Sequence, residues 1–319
     1  MSGIATAVGQ SDPMLRHAIE VNHLSCSFRQ GEALHDVCLS IPIGSVFGLV
    51  GLNGAGKTTL IRHLIGGLKP QRGRVRVLGE DPIKTPESVL NRIGYVAEED
   101  SLPRWMKVGE LIDFMKALYK GGNDDLCCEL LELFGLNRSQ RLSDLSKGGR
   151  ARAGLLVALA HRPELMILDE PSYGLDPIAR QDILESIVRT ASDEGRTVLF
   201  SSHLLDEVAR VCDRVALIHQ GHLIETIALE LLAERYAEVF IEGNVTSPLC
   251  NGLFGWQHRG REWSVAVDRK ILFSNADVQS ALGAATVRDV RPLSIERWFQ
   301  ARVSEDYPAS QLNPVEAAP

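Results

Sequence analysis

No stretch of the 319-residue chain approaches the ~18 consecutive apolar residues that a membrane-crossing helix needs. A protein of this kind that works at a membrane must take its membrane part from another subunit. Residues 1–10 lack a basic segment followed by an apolar one, so no secretory leader is expected. The six cysteines, at positions 26, 38, 127, 128, 212 and 250, form no C-x-x-C pair and no metal-ligand spacing. That pattern excludes a disulfide scaffold and a zinc module, and leaves reduced thiols with no assigned role. A net charge of -7 gives no global reason to expect a nucleic-acid partner. No internal repeat is evident.

The composition that is present, 45% hydrophobic and 24% charged, is ordinary for a soluble globular protein. The length exceeds a usual single domain, so one large core plus a smaller unit is expected. The most informative stretch is Gly51-Leu52-Asn53-Gly54-Ala55-Gly56-Lys57-Thr58-Thr59. Residues 45–50 before it are apolar and read as a buried strand; residues 60–65 after it have the apolar spacing of a helix. Strand, glycine loop and helix in that order are the context of a phosphate-binding loop. The glycines let backbone N–H groups converge on phosphate oxygens where a Cβ would obstruct them. The helix N-terminus adds its positive dipole end. Lys57 supplies a point charge for the β- and γ-phosphates, and the Thr58 hydroxyl is placed to hold Mg²⁺. Gly51, Asn53, Gly54, Ala55, Gly56, Lys57, Thr58 and Thr59 are therefore the expected nucleotide-binding residues.

Along the chain, residues 1–17 read as a loose tail. Alternating apolar runs at 18–24 and 33–41 predict antiparallel strands, joined by the strand at 73–78. A short buried strand follows at 93–96, and residues 107–160 read mostly as helix, with Leu111, Phe114, Met115 and Leu118 at helical spacing. Strands at 165–168, 197–200 and 215–218 then alternate with helical segments, which implies a parallel sheet covered on both faces. The strand at 165–168 ends in Asp169 and Glu170. Asp169 can bind Mg²⁺ through water, and Glu170 can polarise the water that attacks a γ-phosphate.

These residues carry a resemblance. Leu145-Ser146-Lys147-Gly148-Gly149-Arg150 is similar to the signature motif of ATP-binding cassette ATPases. Ser172-Tyr173-Gly174-Leu175-Asp176-Pro177 resembles their D-loop, and Ser201-Ser202-His203 their switch histidine. The order and spacing fit from about residue 20 to 230. The resemblance implies a P-loop NTPase cassette of the α/β class: a mixed, mainly parallel sheet with an antiparallel β subdomain and a helical subdomain. On this reading residues 18–232 form the cassette, with the helical subdomain at about 98–160.

It also implies roles. Ser146, Gly148 and Gly149 would cap a γ-phosphate bound by a second copy of the chain or a related subunit, and Asp176 would reach across the same interface. His203 would position Glu170 or the attacking water. Phe28 stands where the family often stacks an aromatic on adenine; a core phenylalanine is the alternative. Glu98 replaces the family's usual glutamine and can still accept hydrogen bonds from metal-bound water. Glycine at 149 departs from the family's glutamine. Leu102, Trp105 and Met106 would form part of the groove that grips a transmembrane permease; packing inside the helical subdomain is the alternative.

The C-terminal third resembles the small extension of exporter-type subunits. Strands are expected at 238–242, 262–267 and 287–290, and a helix from Leu293 with Ser294 as its cap. Residues 233–303 form this α+β accessory domain, and 304–319 are expected to be disordered. The expected function is the ATP-hydrolysing, Mg²⁺-dependent, cytoplasmic subunit of a membrane exporter. One alternative is a cassette acting on nucleic acid or ribosomes, whose relatives carry tandem cassettes or long coiled coils. Another is a small P-loop kinase, which the residues from Leu145 to Gly148 argue against.

Overall fold

The structure, a computed structural model, describes residues 16–29, 31–98, 102–119, 124–242, 253–259, 262–272 and 286–305. Most of both expected tails, and Cys250, lie outside the described residues. The chain divides into two compact units, Met1–Thr226 and Ile227–Pro319.

The first unit is built on β1 (His17–Phe28), β2 (Gly31–Pro42), β3 (Val46–Val50), α1 (Lys57–Leu64), β4 (Arg72–Val77), α2 (Pro86–Leu90) and β5 (Ile93–Val96). α3 (Val108–Leu118), α4 (Asp124–Leu133) and α5 (Lys147–Leu159) follow. Then come β6 (Leu165–Asp169), α6 (Pro177–Glu194), β7 (Thr197–Ser202), α7 (Leu205–Val211), β8 (Arg214–His219) and β9 (His222–Ala228). One sheet has the order β2-β1-β4 and is antiparallel, as the alternating runs predict. The other has the order β5-β6-β7-β3-β8-β9, with β3 parallel to β7 and β8 and β6 parallel to β5 and β7. β6 and β7 are buried along their whole length, which explains the apolar runs at 165–168 and 198–200. The mixed, mainly parallel cassette architecture is the one expected.

Register fixes where chemistry can occur. Val50 at the end of β3 pairs with Ser202, and Asp169 at the end of β6 pairs with Ser201. The strand ends that carry the glycine loop, the two carboxylates and His203 therefore lie along one edge of the sheet. Ligands of open α/β sheets bind outside such carboxyl ends.

In the helical part, Leu111 and Ile112 of α3 are buried, whereas Phe114 and Leu118 are exposed. The apolar stripe of α3 outruns the packing beneath it.

The second unit contains α8 (Leu229–Arg235), β10 (Tyr236–Glu242), β11 (Leu253–Arg259), β12 (Glu262–Asp268), α9 (Arg269–Leu272), β13 (Thr286–Pro292) and α10 (Ile295–Glu305). Its sheet has the order β11-β12-β10-β13. β10, β12, β13 and α10 match expectation, and Ser294 accepts the Arg297 N–H at 3.2 Å as the cap of α10. β11 does not follow from the sequence because Gly255, at φ 62, breaks its alternation and shifts its register between Phe254 and Gln257. A Cβ at Gly255 would collide with Ala301 of α10, so glycine lets this helix, with its fully buried Trp298, lie directly on the strand.

Candidate functional site

The loop after β3 is shaped by its glycines. Gly56 caps α1 at φ 111, in the left-handed region, and a Cβ there would lie 2.8 Å from the Ala33 carbonyl oxygen. Gly51 packs so closely that a Cβ would collide with the Ile218 carbonyl oxygen. Gly56 has no side chain to cap α1, and its first turn carries no acidic residue. The first N–H groups of the helix are thus left to an outside anion. Lys57 folds back under the loop. Its Nζ donates to Gly51 O at 2.7 Å and to Leu52 O at 3.4 Å, and lies 3.0 Å from Glu170 Oε1.

Asp169 is fully buried and accepts a hydrogen bond from Ser201 Oγ on Oδ1 at 2.7 Å. Burial pushes its pKa up; hydrogen bonding from Ser201 and Thr58 and the charge of Lys57 pull it down, while the nearby Glu170 charge raises it further. The Thr58 hydroxyl approaches this carboxylate, yet Oδ2 makes no hydrogen bond of good geometry. A buried, orphaned carboxylate oxygen beside a hydroxyl is a donor set that suits a hard cation such as Mg²⁺. Among the described residues, no cluster of three or more His, Cys, Asp or Glu would hold a metal unaided. A cation here would need phosphate or water oxygens as further ligands.

Glu170 adopts φ 49, which is rare for a residue with a Cβ. Its N–H is held by Ser201 O at 3.2 Å and Ser201 Oγ at 3.0 Å. Its side chain, only 5% exposed, bridges two groups: Oε1 faces Lys57, and Oε2 lies 2.7 Å from His203 Nδ1. Lys57, Thr58, Asp169, Glu170 and His203 are therefore gathered into one cluster. Strain of this kind is characteristic of functional sites.

A buried residue not foreseen from sequence braces the cluster. Glu207 is 1% exposed. Ser172 Oγ lies 2.8 and 2.7 Å from its two carboxylate oxygens, and Ser202 Oγ donates at 3.0 Å. Arg180 Nε completes the set at 3.3 Å. Glu207 thereby ties the turn after Glu170 to the end of the strand before His203. Its sequence signal is only that of an acidic residue in a helix's first turn, which is commonplace.

The other expected residues lie elsewhere. Ser146 is exposed and caps α5, its Oγ accepting Gly149 N–H at 3.1 Å. A Cβ on Gly148 would lie 2.7 Å from the Ala179 Cβ, and one on Gly149 3.2 Å from the Leu145 Cβ, so both glycines permit close packing. Asp176 caps α6, accepting the Ile178 and Ala179 N–H groups at 3.1 and 3.0 Å. Among the described residues, no hydrogen bond or ion pair links these four to residues 51–59 of the same chain. Phe28 is 48% exposed, which removes the core alternative. Glu98 is exposed two residues beyond β5, next to the Asp169 end of β6. Trp105 is 72% exposed, with Leu102 and Met106 half-buried. Trp105 is thus not packed inside the helical part.

A glycine loop at an uncapped helix start, a buried strand-end aspartate and a bridging glutamate define a P-loop nucleotide hydrolase. Comparison with known proteins narrows the class. The sequence profile of the family described as "ABC transporter" matches residues 34–173. The chain is 32% identical over 219 residues to the bacitracin transport ATP-binding protein BcrA of Bacillus licheniformis, covering 68% of this chain and 72% of that protein. A solved ATP-binding subunit of an ABC transporter superposes with a TM-score of 0.62 at 30% identity, covering 68% of this chain and 92% of the other. cbiO1 of Clostridium perfringens, described as part of the ABC transporter complex cbiONQ, superposes with a TM-score of 0.61 at 27% identity, covering 68% and 91%. The chain belongs to the ABC transporter family, as an ATP-binding subunit with ATPase activity.

Proposed function

We propose that this subunit powers a membrane exporter as a dimer of cassettes coupled to a separate transmembrane permease, held at the cytoplasmic face of the membrane by that permease. The observation that carries this reading is the Glu170 carboxylate poised between Lys57 and His203. Residues 51–59 wrap the triphosphate, Phe28 stacks on the base, and Lys57 turns to the β- and γ-phosphates. Glu170, released from Lys57, takes a proton from the attacking water while His203 holds it in line. Thr58 and Asp169 would hold Mg²⁺, with Glu98 bound to one of its waters; the ion would draw negative charge from the γ-phosphate.

Ser146, Gly148, Gly149 and Asp176 are assigned to the nucleotide of the opposite cassette, which accords with their separation from the loop of their own chain. Nucleotide binding closes the dimer and hydrolysis reopens it. Residues 18–232 serve as the cassette and 233–303 as an accessory domain. The exposed Trp105, with Leu102 and Met106, supports a permease-binding groove, and the names of BcrA and cbiO1 tie those relatives to transport. Among the described residues, no helix is long and apolar enough to cross a membrane, so the permease is assigned to another chain.

The test is Glu170→Gln. It abolishes turnover while leaving ATP binding, and traps an ATP-dependent dimer on size exclusion. A Glu170→Gln chain that stays monomeric with saturating ATP overturns the sandwich or the assignment of Glu170.

A further inference from the structure

The turn between Glu170 and Asp176 carries one large side chain that the scheme above leaves unused. Tyr173 is 46% exposed, yet its ring has two close neighbours. The His203 imidazole meets it edge-on, with ring centroids 5.9 Å apart and planes at 66°. Lys147 Nζ sits over the ring, 5.2 Å from its centroid. Lys147 opens α5, immediately after Ser146. Its stem lies along Gly174, where any Cβ would collide with the ammonium group.

The backbone beneath the ring is fixed. Tyr173 N–H donates to Glu170 O at 3.0 Å, and Ser172 is anchored on the buried Glu207. The ring is therefore a rigid spacer between a cation at the start of α5 and the imidazole that touches Glu170. Edge-on ring packing and a cation over a ring face are both directional attractions. Loss of either frees the imidazole to turn away from Oε2.

We propose that Tyr173 is a positioning residue for the hydrolytic centre and that Lys147 holds it there. A phosphate arriving from the opposite cassette at the start of α5 draws on the Lys147 ammonium. Its arrival is thus transmitted through the Tyr173 ring to His203 and Glu170 of the same chain. The inference rests on the reading of Glu170 and His203 as the reactive pair. It goes beyond that reading in assigning roles to Lys147 and Tyr173.

The experiment measures kcat, KM and ATP affinity of the full chain carrying Tyr173→Leu, Tyr173→Phe, Lys147→Leu, Lys147→Arg or the double Leu variant, with Glu170→Gln as control. Tyr173→Leu is expected to lower kcat about tenfold with KM and affinity unchanged, the effect of a misoriented but intact site. Tyr173→Phe and Lys147→Arg, which keep the ring and the cation, restore kcat to within about twofold of the parent. The double Leu variant is no worse than Tyr173→Leu alone, because one path is cut in both. Parental kcat in Tyr173→Leu, additive losses in the double variant, or failure of Tyr173→Phe to rescue would each overturn the relay. Retained turnover in Glu170→Gln would instead overturn the reactive-pair reading beneath it.

Discussion

Glu207 offers a quantitative test of how the site is held. In Glu207→Ala, Ser172 and Ser202 lose a buried ionised acceptor, and Arg180 loses its ion partner. Each hydrogen bond to a charged group contributes about 1.5–3 kcal/mol. Ser172 has one hydroxyl hydrogen for two oxygens, so it counts once. Arg180 is about one-third exposed, and its charge returns to solvent at little cost. The expected loss is therefore about 3 kcal/mol, toward the lower end of two such bonds, since water relaxes into the gap. For a unit of this size, that lowers the midpoint of thermal unfolding by roughly 6–12 °C. Glu207→Gln keeps the shape and one carbonyl acceptor, and should cost about 1 kcal/mol. Differential scanning calorimetry of the full chain reads both values. A loss below about 1 kcal/mol for Glu207→Ala would refute the brace, as would equal losses for the two variants.

Three further outcomes are expected. Burial lowers the pKa of both His63 and His161 from the ordinary value of 6.5. Their folded neutral forms therefore resist protons that the unfolded chain accepts, so stability is full above about pH 6.5 and falls as the pH drops through the lowered values. Melting temperature followed from pH 7.5 to 5 should show this, and a His63→Leu variant should flatten the slope. Gly56→Ala places a Cβ at φ 111 and against the Ala33 carbonyl oxygen; it should cost about 1–2 kcal/mol and weaken ATP binding at least about tenfold by titration calorimetry. Trp105→Ser should keep ATP affinity within about twofold, because the side chain is solvent-facing, while abolishing membrane recruitment when the permease is co-expressed.

The legible part of this protein is the part set by short-range rules. A glycine loop between a buried strand and a helix has one chemical reading, and the strand ending in Asp169 and Glu170 narrows it. The antiparallel and the parallel sheet follow from alternation and from apolar runs respectively, whereas the order of the strands within each does not. Three things were illegible, each for a physical reason. Glu207 works through tertiary contacts with Ser172 and Ser202, and helix periodicity says nothing of these. β11 is hidden by the Gly255 irregularity, which only the approach of α10 explains. The partnership of Lys147, Tyr173 and His203 joins residues from three elements whose proximity depends on how α5 meets the turn before α6. Phe114 and Leu118 are the converse case, since their spacing gives a helix and leaves open how far its core cover extends.

The Lys57 ammonium donates to Gly51 O and Leu52 O and has Glu170 Oε1 as its buried counter-charge at 3.0 Å. A phosphate oxygen that reaches this ammonium therefore competes with the carboxylate for its charge. The two carbonyls are fixed by the loop, whereas Glu170 has a second partner in His203, so the carboxylate is the group that leaves. Nucleotide affinity and carboxylate release then share a single free energy, and each must shift the other by an equal amount. A substitution that loosens the ammonium–carboxylate pair should tighten nucleotide binding by the same factor, without touching any residue of the loop.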